Sequence, residues 1–306
     1  MKKIIFDTDI GVDDAFALAC AAKSQQILGI TTVFGNVAVG QAVKNARLFA
    51  QLVGCDAPVF RGCSRPLALS PSASAAPVHG GDGLGDVLEN PFPEEADSAI
   101  DFIINSVRAQ PHEVTLVAIG PLTNIATAIN LAPDIVPLVK ELVIMGGAFG
   151  TNGHAGNVTP HSEFNIWKDP HAADQVLSSA LPVTVLPLDV THEVLISGED
   201  IRSLKVPVLE QISRGYLQYS LAKEGFEGMA LHDTLAVLWL TYPDFFTTVK
   251  APVRVVTEGI TLGQTLRKIG ALASRFDPYA GCREQTLCLG VQADKVKAAF
   301  LAMLQA

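Results

Sequence analysis

The chain predicts an α/β fold: a parallel sheet with helices packed across its faces and a ligand site at the carboxyl edge of the strands. Three observations carry that expectation. Short β-branched apolar runs alternate with stretches of helical spacing, the pattern that right-handed crossovers assemble into a parallel sheet. The first apolar run passes directly into Asp7-Thr8-Asp9-Ile10-Gly11-Val12-Asp13-Asp14, which sets four carboxylates on the turn between a strand and a helix. In open α/β sheets that edge is where ligands bind.

The elements follow in order. Lys2 to Phe6 ends apolar and reads as a buried strand, and Ala15 to Ala22 is a run of strong helix formers. Ile27 to Val33 is a second strand, stopping at Phe34-Gly35-Asn36; Val39 to Val53 then has helical spacing, with Ala42, Ala46 and Phe49 on one face. If the two strands are neighbours, Asn36 lies beside the acidic turn, although a turn Asn in a left-handed conformation explains it equally well. Pro58 to Pro93 is rich in Gly, Pro, Ser and Ala and reads as a long loop, a kind of segment that is often functional. Within it, His79-Gly80-Gly81-Asp82-Gly83-Leu84-Gly85 opens no helix and is not a dinucleotide fingerprint. Val114 to Ile119 is a continuous apolar strand leading through Gly120-Pro121 into a helix, and the carbonyl at its end, lacking a ladder partner, is open to a cation.

Glu141 to Met145 is the next strand, followed by Gly146-Gly147 and a glycine-containing loop through Asn157. In Ser162-Glu163-Phe164-Asn165-Ile166, Glu163 and Asn165 alternate with Phe164 as on an extended segment, so both point into one site. Asp169-Pro170 caps the following helix. Val183 to Leu188 is a strand with Asp189 at its end, and beyond Gly198 the chain is mainly helical to Tyr242. There His232-Asp233 precedes an apolar helix, Leu235 to Leu240; Asp233 reads as an acid facing the helix dipole, and His232 as a packed side chain, as readily as either reads as a site residue. Val253 to Glu258 and Thr261 to Ile269 flank Gly259 as a hairpin, and a last strand, Glu284 to Val291, precedes a terminal helix, Asp294 to Leu304.

Composition narrows the function classes. The 306 residues leave room for one large or two modest domains, and 49% hydrophobic residues can fill a large core. A formal charge of −9 argues against nucleic acid or an anionic membrane as partner. Five cysteines at scattered spacings form no CxxC pair and no metal pattern, and their odd number suggests reduced thiols in a cytoplasm. Asp7 and Asp9 interrupt the N-terminal apolar run, so it does not read as a signal peptide, and no uninterrupted apolar run reaches membrane-spanning length.

The acidic turn needs a physical explanation. Carboxylates held close in a partly buried turn raise one another's pKa values or unfold the turn. A helix cap needs one acid, not four. A divalent cation removes the conflict, and oxygen-only ligands favour Ca²⁺ or Mg²⁺ over zinc.

The stretch DTDIGVDDA, residues 7–15, resembles the N-terminal signature of the inosine–uridine-preferring nucleoside hydrolases. The family's usual form has Pro where this chain has Ile10, a departure that touches the stiffness of the turn and no ligand. Further motifs of that family follow in family order along almost the whole chain: the GN pair ending in Asn36, the HGxxG loop at His79, the glycine after Ile119, the G-N-x-T-x-x-x-E-F-N pattern from Gly156 to Asn165, and the pair His232-Asp233. The resemblance implies one domain over residues 1–306, with a mixed, mainly parallel central sheet flanked by helices and the site at its carboxyl edge. It implies Ca²⁺ held by Asp9, Asp14, Asp233 and the main-chain carbonyl of Ile119. Asp13, Asn36, Asn157, Glu163, Phe164 and Asn165 then surround the ribose, Met145 lines the sugar pocket, and His79 overhangs the base. Asp9 is the base that deprotonates water, and His232 either protonates the departing nucleobase or holds it in place. Asp7 organises the turn, and Asp189-Val190-Thr191 is structural. Leu262-Gly263-Gln264-Thr265 is similar to the family's G-x-T hairpin, but Leu266-Arg267-Lys268 departs from its apolar-then-Asp ending. The implied protein is a cytoplasmic homodimer or homotetramer that hydrolyses ribonucleosides to ribose and free base in nucleoside salvage. Which base is preferred does not follow, because the base-contacting loops, around His79 and from Tyr216 to Gly228, align least well.

This inventory suits hydrolysis of an N-ribosidic bond, which passes through an oxocarbenium-like sugar and needs an oriented, deprotonated water. Two rivals weigh less. An Asp-nucleophile phosphatase of the haloacid-dehalogenase type shares the D-x-D after a first strand, but no phosphate-binding Lys or Arg and no downstream acidic pair stand at a strand end. A calcium-dependent nucleoside-binding protein needs the ligands but not the base at Asp9.

Overall fold

The strand–helix alternation is borne out in a computed structural model, which describes residues 1–270 and 275–305. The first half contains β1 (Lys3–Thr8), α1 (Val12–Ser24), β2 (Gln26–Thr32), α2 (Val39–Leu52), β3 (Val59–Arg61), α3 (Ala76–His79), α4 (Ala99–Ala109), β4 (Val114–Ala118), α5 (Thr123–Leu131) and β5 (Glu141–Met145). The second half continues with α6 (Phe164–Lys168), α7 (Pro170–Ser178), β6 (Val183–Leu186), α8 (Leu188–Thr191), β7 (Leu195–Ile196), α9 (Gly198–Arg202), α10 (Pro207–Tyr219), β8 (Met229–Ala230), α11 (His232–Thr241), β9 (Phe246–Ala251), β10 (Val253–Val255), β11 (Thr265–Arg267), β12 (Gln285–Val291) and α12 (Ala293–Gln305).

Eight strands form one sheet in the order β3-β2-β1-β4-β5-β6-β12-β9. All its pairs are parallel except β12 with β9, so the sheet is mixed at one edge. Successive residues of a strand point to opposite faces, and β1 uses both: Ile4 and Phe6 join one apolar core while Ile5 joins the other. That is why its sequence is a continuous apolar run rather than an alternation. Residues of α1, α2, α10, α11 and α12 fill the first core, and those of α4, α5 and α7 fill the second.

Three local readings are corrected. Glu163 and Asn165 do not lie on an extended segment: Glu163 is the N-cap of the one-and-a-half-turn helix α6, its carboxylate accepting from the amides of Asn165 and Ile166. The loop from Pro58 to Pro93 carries the short strand β3 and the single turn α3, which ends at His79. Strand β9 was not expected at all. It is the antiparallel edge strand, exposed at its four central residues, so no hydrophobic alternation marks it. The hairpin pairs β10 with β11, and Lys268 in the segment that departs from the family pattern forms an ion pair with Asp277. All five cysteines are free thiols. Among the described residues no helix is long and apolar enough to cross a membrane.

Asp169 ties three segments together at the base of the site. One oxygen caps α7 at the amide of Ala172 (3.1 Å), and the other accepts from the amide of Leu67 (2.9 Å) and Oγ1 of Thr123 (2.8 Å). Its replacement by Ala leaves three donors unmatched in a fully buried place. Asp169→Ala is expected to lower stability by about 2–4 kcal/mol, and Asp169→Asn by less, measured by denaturant or thermal unfolding. Wild-type stability in Asp169→Ala would contradict this role.

Candidate active site

The carboxyl ends of β1, β2, β4 and β5 deliver the acidic turn, Gly35-Asn36, Ile119-Gly120 and Met145-Gly146 to one edge of the sheet. The N-terminal turns of α6 and α11 add Glu163, Asn165, His232 and Asp233, and α3 adds His79. A cleft of about 580 Å³, open solvent included, is lined by Asp13, Asn36, His79, Ile119, Met145, Asn157, Glu163, Phe164, Asn165, His232 and Asp233. Asp9 and Asp14 lie behind them, fully buried. The fold thus brings together in space residues spread over 220 positions of sequence, from Asp13 to Asp233.

Small residues make this density possible. A Cβ on Gly35 would sit 1.9 Å from Oδ2 of Asp9, and one on Gly11 would sit 2.7 Å from both Asn36 Nδ2 and His79 Nδ1. At Ile10, φ is +26°, a left-handed value that strains a β-branched residue and that a proline ring cannot adopt.

Asp14 is held by a dense set of donors. Thr8 Oγ1 donates to its Oδ1, while the amide of Gly11 (2.8 Å) and Nδ2 of Asn36 (3.1 Å) donate to Oδ2. Asp9 accepts the amide of Asn36 at 2.6 Å through Oδ2, but its buried Oδ1 has no hydrogen-bond partner among the described residues. Asp7 is a support: its Oδ1 accepts from Thr31 Oγ1 (2.5 Å) and Asn124 Nδ2 (2.7 Å). Asp13, Asp14 and Asp233 each offer a carboxylate oxygen within 4.8 Å of the others, a spacing that one cation can bridge. Two of these were expected as ligands, and Asp13 was expected on the sugar; Asp9 does not join that three-way set.

Burial and mutual repulsion act on the whole cluster. Desolvation, then the charge of Asp14, pushes Asp9 well above the usual carboxylate range, and desolvation, then Asp13, does the same to Asp233. Asp14 is raised to about 6 and Asp7 to about 7, each chiefly by desolvation. No Lys or Arg forms an ion pair with Asp9, Asp14 or Asp233 among the described residues, so the donor set fits a hard divalent cation. The carbonyl of Ile119 is not wholly open, as the sequence suggested. It accepts Nδ2 of Asn165 at 2.9 Å, which leaves one of its two lone pairs.

The remaining polar groups are fixed from the main chain. Glu163 accepts the amides of Asn165 (2.8 Å), Gly147 (3.0 Å) and Ile166 (3.1 Å), yet burial still raises it to about 7. Oδ1 of Asn157 accepts the amide of Phe164 at 2.9 Å. The amide of Val12 donates to Nδ1 of His79 at 3.1 Å. Since an amide can only donate, the neutral imidazole carries its proton on Nε2. Burial lowers the His79 pKa to about 4 and drives that of His232 well below normal, with the charges of His192 and His79 adding to the second effect. Nδ1 of His232 shares a 2.8 Å hydrogen bond with Thr191 Oγ1.

Sequence reasoning missed Thr8, which looked like a spacer between acids, and Asn124, whose amide bridges Asp7, the carbonyl of Thr32 and the amide of Cys63. Val78, Tyr216 and Tyr219 in the cleft wall fall in the two stretches expected near the base, around His79 and from Tyr216 to Gly228, although none of the three was singled out. Tyr216 meets His79 edge-on at 5.4 Å, and the helical run after Gly198 gave no polar motif to single it out.

An α/β fold with a mainly parallel sheet thus carries, at its carboxyl edge, carboxylates that could hold a cation beside a cleft lined with polar groups. A profile of the inosine-uridine preferring nucleoside hydrolase family matches residues 4–298, so the chain belongs to that family and is an N-ribosyl hydrolase. It is similar to uridine nucleosidase 1 of Arabidopsis thaliana, with 39% identity over 280 residues, 88% of this chain and 82% of that protein. Its fold matches a plant nucleoside hydrolase, PpNRh1, with a TM-score of 0.93 at 32% identity, covering 100% of this chain and 99% of the other. A purine-preferring ribonucleoside hydrolase from Gardnerella vaginalis gives 0.89 at 34% identity, covering 99% and 98%.

The raised carboxylates make a linkage prediction. A carboxylate whose pKa is higher in the folded than in the unfolded chain favours folding while protonated; that contribution is complete below about pH 4 and is lost as pH rises through the folded value. Here those values are about 6 for Asp14 and about 7 for Asp7 and Glu163. A cation competes with those protons, so its stabilising effect is expected to grow over the same window. Thermal melts of chelator-treated protein, with and without a divalent cation, are expected to show a Tm rise several degrees larger at pH 8 than at pH 5.5. Equal rises would contradict the cluster as the binding site.

Proposed function

We propose that this enzyme hydrolyses the N-ribosidic bond of ribonucleosides in nucleoside salvage, with Ca²⁺ in the acidic cluster and Asp9 as the base. One observation supports this reading above all: the converging oxygens of Asp13, Asp14 and Asp233, with the unpartnered Oδ1 of Asp9 buried nearby, adjoin a cleft lined by hydroxyl-binding groups. Bound Ca²⁺ supplies positive charge that orients water and lowers its pKa. Asp14, Asp233 and the Ile119 carbonyl would hold that ion, with Asp9 or Asp13 completing the carboxylates. Asp9, raised in pKa by burial, takes the proton of the attacking water.

Asn36, Glu163 and Asn165, with Asp13, hold the ribose hydroxyls, and Met145 packs beside the sugar. Their negative charge and oriented dipoles favour the cationic sugar of the transition state over its neutral ground state. Asn157 fixes Phe164 through its amide. His79 and His232 face the leaving base as neutral imidazoles, so His232 holds the base through a hydrogen bond rather than acting as a resident imidazolium acid.

Release of reducing sugar from a panel of ribonucleosides and their 2′-deoxy counterparts tests the proposal. A site built to bind a hydroxyl leaves its own groups unpaired when that hydroxyl is missing, so ribosides are expected to react on the order of 10⁴ faster. In the same assay Asp9→Asn, with its calcium content measured, is expected to lose about 10²–10⁴ in kcat. Near-normal turnover by calcium-loaded Asp9→Asn, or equal kcat/KM for uridine and deoxyuridine, would contradict it.

A further inference from the structure

Lys168 is the last residue of α6, four positions after Phe164, and is 3% exposed. Among the described residues no carboxylate lies within ion-pair distance of it, and the charge of Asp9 attracts it from farther off. Its ammonium donates to Oγ of Ser72 (3.0 Å) and to the carbonyl of Ala73, and it stands 5.0 Å from the ring centroid of Phe164. A buried ammonium bonded only to neutral oxygens is costly to desolvate, and an apolar residue of similar length would fill the same space more cheaply.

The partners explain its presence. Residues 62–75 contain neither helix nor strand, and Ser72 and Ala73 turn their outer sides to solvent. This coil is tied at Leu67 to Asp169 and at Ala75 to the carbonyl of Asn36. Between those ties, Lys168 makes the only hydrogen bonds to residues 68–74 among the described residues. The coil runs directly into α3, whose Val78 and His79 line the same cleft as Phe164.

We infer that Lys168 is a positioning residue for substrate binding: it latches the 62–75 coil onto α6 and thereby sets Phe164, Val78 and His79 around the nucleobase. The inference rests on the proposed nucleoside site. It concerns the base end of the cleft, where His79 stands 3.7 Å from Asp13.

Lys168→Met keeps length and removes the charge. If the unlatched coil adopts the closed position about one time in ten, KM for a ribonucleoside rises about tenfold, while kcat falls by less than that, because Lys168 reaches the acidic cluster only through the long-range attraction between its charge and Asp9. Cleavage within residues 66–75 by limited proteolysis is expected to accelerate. Tm is recorded alongside: a merely structural lysine would lower Tm and leave KM alone, whereas the latch moves KM whatever Tm does. Ser72→Ala is expected to raise KM in the same direction by less, and Lys168→Met/Ser72→Ala to match Lys168→Met alone, because the two act through one contact. Unchanged KM and unchanged proteolysis in Lys168→Met would overturn the inference. If that variant does not fold, wild-type KM in Ser72→Ala overturns it. A wild-type enzyme inert on every ribonucleoside would defeat the nucleoside reading separately, and the proteolysis arm still reads the latch.

Discussion

Repulsion among buried carboxylates is the constraint on which the site depends. Asp9, Asp14 and Asp233 are buried together with Asp13 at their edge, where water cannot screen them. The sheet makes this geometry affordable by surrounding the acids with donors it already has: the hydroxyl of Thr8, the amides of Gly11 and Asn36, and the side-chain amide of Asn36. Those donors reach both oxygens of Asp14 and Oδ2 of Asp9, and leave Asp9 Oδ1 over. The residual negative charge is the feature a hard cation would neutralise, and the same charge would favour a sugar that becomes cationic during bond cleavage.

The two imidazoles follow from the same burial. At His79 desolvation outweighs the attraction of Asp14, and at His232 desolvation and the neighbouring imidazoles His192 and His79 act in the same direction. The amide of Val12 fixes the tautomer of His79, so an element of the acidic turn also decides which nitrogen of His79 carries its proton. The acidic floor and His79 are therefore joined by a hydrogen bond from the start of α1, while His232 is held separately by Thr191.

Much of this was legible in the chain. The continuous apolar run of β1 and the β-branched run of β2 announce strands buried on both faces, and the acids after β1 mark the edge that carries the site. Asn36, ambiguous as a lone turn residue, became a site residue once β1 and β2 paired. Other parts were not legible. A strand such as β9, buried only at its ends, lacks the period that identifies strands, and the short helix α6 hides within a pattern that alternates polar and apolar residues just as an extended segment does. Thr8 and Asn124 act through hydrogen bonds made across 6 and 117 residues, and nothing in their immediate neighbours records the partner. The carbonyl of Ile119 shows the converse: its strand position exposes it, but a side chain 46 residues away claims one lone pair.

The central claim is that the acidic cluster is a cation site of oxygen ligands. A crystal structure at pH 7.5 of enzyme purified without chelator, with metal content measured on the same sample, tests it most directly. The account predicts one calcium ion per chain, coordinated by Asp14, Asp233 and the Ile119 carbonyl together with Asp9 or Asp13. Zinc on histidine nitrogens, or a fully active enzyme with no ion among these carboxylates, would contradict it.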